Sequence, residues 1–125
     1  MSRDIASLIG RVMMSAIFIQ GGISKAMTQG PTMAMLARYA LPNPGLAYLV
    51  AVAVEIGGGL AVLVGWRTRW AAVVLAVWCI ATAMVAHYHP ADRGQMIHFM
   101  KNVCMAGGFI QLCLLGAGRF SLDRR

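Results

Sequence analysis

Four apolar runs divide the chain, and each is long enough to cross a lipid bilayer as a helix. They occupy residues 5–25, 46–65, 70–88 and 97–116. A membrane-spanning helix needs about 20 predominantly apolar residues. Arg11 interrupts the first run and no small-residue cleavage site follows it, so we interpret it as a retained helix rather than a signal peptide. The pattern predicts an all-α membrane protein: a single domain over residues 1–125, with four transmembrane helices in an antiparallel bundle.

The connection between the first two runs, residues 26–45, is too long for a simple turn. Pro31 is placed to open a helix, and Pro42 and Pro44 are placed to stop it. Met33, Leu36 and Tyr39 or Ala40 recur at helical spacing. We therefore predict a short amphipathic helix that lies on the membrane interface. Its expected role is that of a surface connector, and a lid over a cavity is the alternative.

The composition supports the membrane assignment. Of the 125 residues, 59% are hydrophobic and 12% are charged, whereas soluble domains carry about 25% charged residues. The net charge of +7 comes from basic residues that lie between the apolar runs rather than on one face, so we expect no nucleic-acid partner. The three cysteines all fall inside apolar runs without a C-x-x-C pair, which argues against a disulfide framework.

The basic residues between the runs predict which way the helices face. With four spans, both chain ends and the turn at 66–69 share one side of the membrane. That side carries six arginines, namely Arg3, Arg67, Arg69, Arg119, Arg124 and Arg125. The other side carries three basic residues, namely Lys25, Arg38 and Arg93. Because cytoplasmic segments carry the excess of lysine and arginine, both termini are predicted to be cytoplasmic.

Three of the predicted spans hold one interior charge each, and these charges need partners. They are Arg11 in the first span, Glu55 in the second and Lys101 in the fourth. An ionised side chain inside the bilayer costs about 2.5–3.5 kcal/mol, so it normally faces the bundle and is paired. Glu55 lies roughly 13 Å deep at about 1.5 Å per residue, and we expect Arg11, Lys101 or both to pair with it. Lys25 lies at a helix end and is expected to extend to the lipid headgroups.

Helical spacing sorts the polar residues of the first and fourth spans into stripes. The stripe of the first span consists of Arg11, Ser15, Phe18, Gly22 and Lys25. The stripe of the fourth span consists of His98, Lys101, Asn102 and Met105. Glycine runs occur at 21–22, 57–59 and 107–108, and small residues let membrane helices approach closely. We therefore expect the polar stripes of the first, second and fourth spans to lie near one another.

Five features of the chain, in their order and spacing, resemble a known family. They are GRVMMSAIFIQGGISK (10–25), EIGGGLAVLVGWRTR (55–69), the histidine that closes the third span (His87), FMKNVCMAGGF (99–109) and GAGRFSLD (116–123). The chain resembles the DoxX family of small bacterial membrane proteins over nearly its whole length. The resemblance implies four helices in the bacterial inner membrane. The residues that match the family's motifs are Arg11, Lys25, Glu55, His87, Lys101, Asn102 and Arg119.

The resemblance also implies a function, because the family takes its name from a subunit associated with quinone-linked sulfur oxidation and a terminal quinol oxidase. We therefore expect a quinone-linked redox component or a subunit of a membrane oxidoreductase. In this hypothesis Lys101 and Asn102 cap a polar pocket whose floor is Glu55, with His87 and His98 at its rim. Glu55 and Lys101 are the candidate catalytic residues: Lys101, or alternatively His87, hydrogen-bonds a quinone oxygen and Glu55 exchanges the accompanying proton.

The remaining candidates are ligand-binding residues, namely Arg11, Lys25, His87, His98 and Asn102. No flavin, haem or iron–sulfur motif is visible in the sequence, so electrons are expected to come from a partner protein. A small permease or an assembly subunit is an alternative function, although no internal repeat or broken helix of the transporter type is visible. A further alternative is a Cu(I) or haem site built from His87, His89, Met96, His98 and Met100. The sequence leaves a homo-oligomer open.

Overall fold

The computed structural model describes residues 2–123, which form five helices. They are α1 (Arg3–Met27), α2 (Gln29–Ala37), α3 (Pro44–Val64), α4 (Thr68–His87) and α5 (Arg93–Leu115). All except α2 are long and apolar enough to cross a membrane, and no strand occurs within residues 2–123. The predicted four-span, all-α fold is confirmed. The largest difference in a helix end is at the start of α5, which begins at residue 93 rather than 97.

Side-chain caps and glycines set where the membrane helices begin and end. Ser2, Asn43 and Asp92 each accept a hydrogen bond from the backbone N–H three residues later, at 3.1 to 3.3 Å. These bonds satisfy a donor that has no acceptor within the helix. At the other ends, α3 and α5 stop at Gly65 and Gly116, whose φ angles of 71° and 79° favour glycine.

The helices pack in chain order around one apolar core. α3 lies between α1 and α4, and α4 packs along α5. The principal core residues are Phe18, Val62, Leu75, Cys79 and Phe109. The Phe18 and Phe109 rings meet edge to face at 5.4 Å and join α1 to α5. Only 17% to 28% of the residues in the most apolar stretch of each span are buried, so the other apolar faces are available to lipid.

The connection after α1 forms the predicted short helix, which packs against α3. Its start differs from the prediction, because α2 begins at Gln29 and Pro31 occupies its third position. Proline is tolerated there since the N–H groups of the first turn have no partner within the helix. Met33 and Leu36, which were predicted on the apolar face, are half-buried, and Thr32 is the buried residue of the helix.

The bundle has two ends, which we name by their contents. The terminal face holds residues 2–10, 65–69 and 116–123, and the loop face holds residues 28–43 and 88–92. On the terminal face the segment 116–123, here called the C-terminal tail, lies across the end of α3, where the Leu122 N–H donates to the Val64 carbonyl at 3.0 Å. Arg124 and Arg125, which contribute to the predicted charge bias, lie outside the described residues.

Candidate functional site

The single glutamate of the chain, Glu55, lies in the interior of the bundle at an irregular turn of α3. The segment Val54–Gly58 is one turn of π-helix, and such turns inside α-helices occur frequently at functional sites. The next residue, Gly59, faces α1, where an added Cβ would lie 2.9 Å from Ile19 Cγ1. Gly58 faces α4 in the same way, so α3 is closely packed on both sides here. The Glu55 side chain is 9% exposed.

Two side chains donate hydrogen bonds to the Glu55 carboxylate. Lys25 Nζ, from the end of α1, lies 2.8 Å from Oε2 and 3.1 Å from Oε1. Trp78 Nε1, from the middle of α4, donates to Oε1 at 3.2 Å. We call Lys25, Glu55 and Trp78 the Glu55 site. It joins three of the four membrane helices through one carboxylate.

Glu55 pairs with Lys25, so the prediction that it pairs with Arg11, Lys101 or both is wrong. The reason is the tilt of the Cα–Cβ bond toward the N-terminus of a helix. Lys25 lies at the loop-face end of α1, so its side chain extends back toward the middle of the bundle. It therefore reaches Glu55 and does not extend to the headgroups as expected. Arg11 and Lys101 lie nearer the N-terminal ends of their helices, so their side chains tilt away from Glu55.

Glycine makes room for the ion pair. A Cβ at Gly21 would lie 3.2 Å from Glu55 Oε2, and a Cβ at Gly22 would lie 2.5 Å from Ile56 Cγ1. The absence of these side chains lets α1 and α3 approach closely at the height of the carboxylate. The paired glycines of α1 therefore serve the Glu55 site as well as helix packing.

Arg11 is buried on the terminal-face side of the bundle, with an exposed fraction of 1%. Its guanidinium donates to the carbonyls of Val62 at 3.2 Å and Leu63 at 2.7 Å, and also to the Phe120 carbonyl. The first two are among the last four carbonyls of α3, which have no partner within the helix. A cation at this point also complements the negative end of the helix dipole. Arg11 thus joins α1, α3 and the C-terminal tail.

Lys101 lies on an exposed face of α5 and does not cover Glu55. The buried residues of α5 are Ala106 and Phe109, and Asn102 lies beside Thr82 of α4. Lys101 is about 100° around the helix from Asn102, on an exposed side. It lines a shallow surface groove of about 510 Å³ together with Arg93, Met96, Ile97, Met100 and Cys104. The predicted pocket with Lys101 as its cap and Glu55 as its floor is therefore wrong in geometry. The chemical roles assigned to the two residues stay predictions.

The other polar residues predicted on α5 and α4 form a cluster near the loop face. Asn102 Oδ1 lies 3.4 Å from Thr82 Oγ1, and Asn102 Nδ2 donates to the His98 carbonyl at 2.9 Å. The His87 and His98 ring centroids are 5.3 Å apart, and His87 Nδ1 lies 2.8 Å from Gln95 Oε1. Within residues 2–123, no group of three or more His, Cys, Asp or Glu side chains is placed to hold a metal ion.

Sequence reasoning missed Trp78 and Tyr48. The indole of Trp78 lies in a span without any charge, and its N–H in a water-free interior needs an acceptor, which was the available signal. The Tyr48 hydroxyl donates to the Lys25 carbonyl at 3.2 Å and so fixes the end of α1 against α3. Thr82 Oγ1, which lies beside Asn102, donates to the Trp78 carbonyl one turn earlier on α4 at 2.9 Å, so the cluster near the loop face lies about one helical turn from the Glu55 site.

Comparison with known proteins identifies the family. The model of the DoxX family matches residues 6–88, which include Lys25, Glu55 and Trp78. The chain belongs to the DoxX family. Two relatives of this DoxX protein are inner membrane proteins of Escherichia coli K12. YphA is 35% identical, over 99% of this chain and 92% of YphA. YqjF is 34% identical, over 97% of this chain and 92% of YqjF.

No solved structure matches this DoxX protein. The two inner membrane relatives and the four apolar helices together identify it as a multi-pass protein of the inner membrane. The expected localisation is confirmed to that extent, and so is the resemblance from which the family was predicted.

Proposed function

We propose that this DoxX protein is a quinone-linked redox component of the inner membrane and that the Glu55 site recognises the quinone head. The observation that carries the proposal is an ammonium group inside the bundle that is paired but not fully enclosed. The Lys25 side chain is 27% exposed, whereas Glu55 is 9% exposed. A partly exposed cation in an apolar surrounding suits a ligand that is itself apolar and carries hydrogen-bond acceptors.

The donor set fits a quinone. An ammonium group has three donors, and the two Glu55 oxygens account for two of those of Lys25. The third is available to a carbonyl oxygen. A bound quinone would supply the redox chemistry. The chain itself would hold the quinone oxygen at Lys25 and hold a proton on the Lys25–Glu55 pair, while electrons would come from a partner protein.

This proposal transfers the donor role from Lys101 to Lys25 and keeps Glu55 as the carboxylate. His87, His98 and Asn102 stay predicted ligand-binding residues near the loop face, where Thr82 lies about one helical turn from Trp78. The internally satisfied Glu55 carboxylate, with its hydrogen bonds from Lys25 and Trp78, favours a second candidate, an assembly subunit in which the pair is structural.

Quinone titration of the purified protein tests the proposal. We expect a short-chain quinone to bind saturably and to quench the fluorescence of Trp78 in a Trp66→Phe/Trp70→Phe background. Lys25→Met alone would leave Glu55 unpaired, so the comparison is made between Glu55→Gln and Lys25→Met/Glu55→Gln. Removal of the ammonium donor should weaken binding about tenfold or more, because a charge-assisted hydrogen bond contributes roughly 1.5–3 kcal/mol.

Lys101→Met is the matched control, because its side chain is exposed and lies away from Glu55. It should bind the quinone as the unsubstituted protein does. Equal affinity of Glu55→Gln and Lys25→Met/Glu55→Gln would remove the Glu55 site from the proposal. Absence of saturable binding to the unsubstituted protein would reject the redox function in favour of an assembly subunit or a permease.

We also propose that both termini are cytoplasmic, on the basis of the six arginines against three basic residues. In a background without the native cysteines, Ala91→Cys on the loop face should react with a membrane-impermeant maleimide in cells with a permeabilised outer membrane. Phe120→Cys on the terminal face should react only after the inner membrane is disrupted. Both native side chains are exposed, so accessibility is matched, and the reverse labelling pattern would reject this orientation.

A further inference from the structure

A cavity of about 940 Å³ opens on the terminal face between α1 and α5. The two helices touch deeper in the bundle, where a Cβ at Gly108 would lie 3.0 Å from Met14 Cε. Nearer the terminal face a Cβ at Gly10 would meet nothing within 4 Å, so a groove is left between the helices. The volume lies within the range of about 300–1,000 Å³ that is typical of ligand sites.

Three exposed arginines surround the mouth of this cavity, namely Arg3, Arg67 and Arg69. Arg67 and Arg69 lie at the N-terminal end of α4, where the helix dipole adds partial positive charge. The Arg69 guanidinium makes one long hydrogen bond, of 3.5 Å, to the Leu114 carbonyl. The arginine side chains are therefore positioned to attract an anion at this face.

Two aspartates also line the cavity, and both direct their carboxylates at backbone N–H groups. Asp4 Oδ1 accepts from the Arg119 N–H at 3.0 Å. The two Asp123 oxygens accept from the Arg67 and Thr68 N–H groups, each at 2.8 Å. These bonds hold the carboxylates against the protein backbone. The Arg67 guanidinium lies over the Trp66 ring, 5.7 Å from its centroid. Because Arg3, Arg67 and Arg69 are all exposed, their positive charge is accessible at the mouth.

Apolar side chains from α1 and α5 line the cavity together with Ser7 and Thr68. Met14 of α1 and Leu112 and Leu115 of α5 line it. Trp70 stands beside the mouth with an exposed fraction of 71%, and tryptophan is enriched at the membrane–water boundary. Positive charge at the mouth and an apolar groove beneath it match the two parts of a phospholipid. A soluble phosphate would use the first part only.

We propose that the terminal-face cavity binds an anionic phospholipid, with its phosphate at Arg3, Arg67 and Arg69 and an acyl chain along the groove between α1 and α5. Basic pockets between membrane helices are known to hold anionic lipid headgroups. The binding would close the gap between α1 and α5 at the end where the two helices do not touch. This site is separate from the Glu55 site and does not depend on the quinone proposal.

Native mass spectrometry of the detergent-solubilised protein tests this inference. Phosphatidylglycerol should bind more tightly than phosphatidylcholine with the same acyl chains. Arg3→Gln/Arg69→Gln should weaken phosphatidylglycerol binding about tenfold or more. Arg67 is left in place because its guanidinium also contacts the Trp66 ring, at 5.7 Å from the centroid, so that its loss would change the turn before α4 as well as the charge. The matched control is Arg38→Gln/Arg93→Gln, which removes two exposed arginines of the loop face and should leave the affinity unchanged.

A second variant tests the groove without changing charge. Leu112→Trp should fill the apolar wall and displace the acyl chain, with weaker phosphatidylglycerol binding as the result. Glycerol 1-phosphate, which has the phosphate but no acyl chain, should not compete at equal concentration. Equal binding of the two lipids, or unchanged affinity in Arg3→Gln/Arg69→Gln, would overturn the inference. Full competition by glycerol 1-phosphate would reject a phospholipid as the ligand and would show that the cavity binds a soluble anion.

Discussion

Glu55→Ala is expected to destabilise the protein by about 2 kcal/mol and to lower its melting temperature in detergent. Loss of the carboxylate removes the acceptor of both Lys25 Nζ and Trp78 Nε1 and leaves a cation in an apolar interior. Breaking a fully buried pair costs about 3–5 kcal/mol. The smaller value applies here because Lys25 is 27% exposed and can regain part of its hydration. Thermal unfolding followed by circular dichroism measures the effect.

Arg93→Ala is the control for the loss of a charge, because the Arg93 side chain is exposed. Its melting temperature should stay close to that of the unsubstituted protein. Glu55→Gln should lie between the two, since an amide oxygen still accepts a hydrogen bond but carries no charge. If Glu55→Ala and Arg93→Ala melt alike, the carboxylate is not paired in the protein as it exists in detergent.

Arg11→Met is expected to cost about 3 kcal/mol of stability and to release the C-terminal tail. The substitution keeps the apolar stem but removes the guanidinium, which donates to the Val62, Leu63 and Phe120 carbonyls. A hydrogen bond to a charged group contributes roughly 1.5–3 kcal/mol, and the cost of burying the cation offsets part of the sum. Besides a lower melting temperature, trypsin should cleave after Arg119 faster than in the unsubstituted protein.

Arg38→Met is the control for the loss of an arginine, because Arg38 is exposed on the loop face and belongs to neither proposed site. It should change neither the melting temperature nor the rate of cleavage after Arg119. Arg11→Lys should recover only part of the stability, since an ammonium group lacks the planar fork that reaches several carbonyls. A tail that resists trypsin in Arg11→Met would contradict the role of Arg11 as its anchor.

The spans and the stripe of α1 were predictable because they depend on local periodicity. Arg11, Ser15, Phe18 and Gly22 recur at one-turn and two-turn spacings, and all four are buried. Hydropathy alone locates helices of this length, since a membrane leaves few other structures available to the backbone. The short helix in the connection at residues 26–45 was also predictable from local periodicity, although its first residue was not.

The partner of Glu55 was not predicted, because depth alone does not tell which cation reaches a carboxylate. Lys25 and Lys101 both lie near the loop face, and the direction of each side chain along its helix decides between them. The rotation of α5 was also missed. α5 packs mainly along α4 and also places Phe109 against Phe18 of α1. In this orientation Asn102 lies beside Thr82 of α4 and Lys101 is exposed. Neither effect is visible in the spacing of residues within one helix.

Two double-mutant cycles test most directly whether Lys25, and not Lys101, is coupled to Glu55. Both cycles use Glu55→Gln, combined with Lys25→Met in one and with Lys101→Met in the other, and the free energy of unfolding is measured for every variant. We expect a coupling of about 1 kcal/mol or more between Lys25 and Glu55, and none beyond about 0.3–0.5 kcal/mol between Lys101 and Glu55. A larger coupling to Lys101, or none to either lysine, would contradict this expectation.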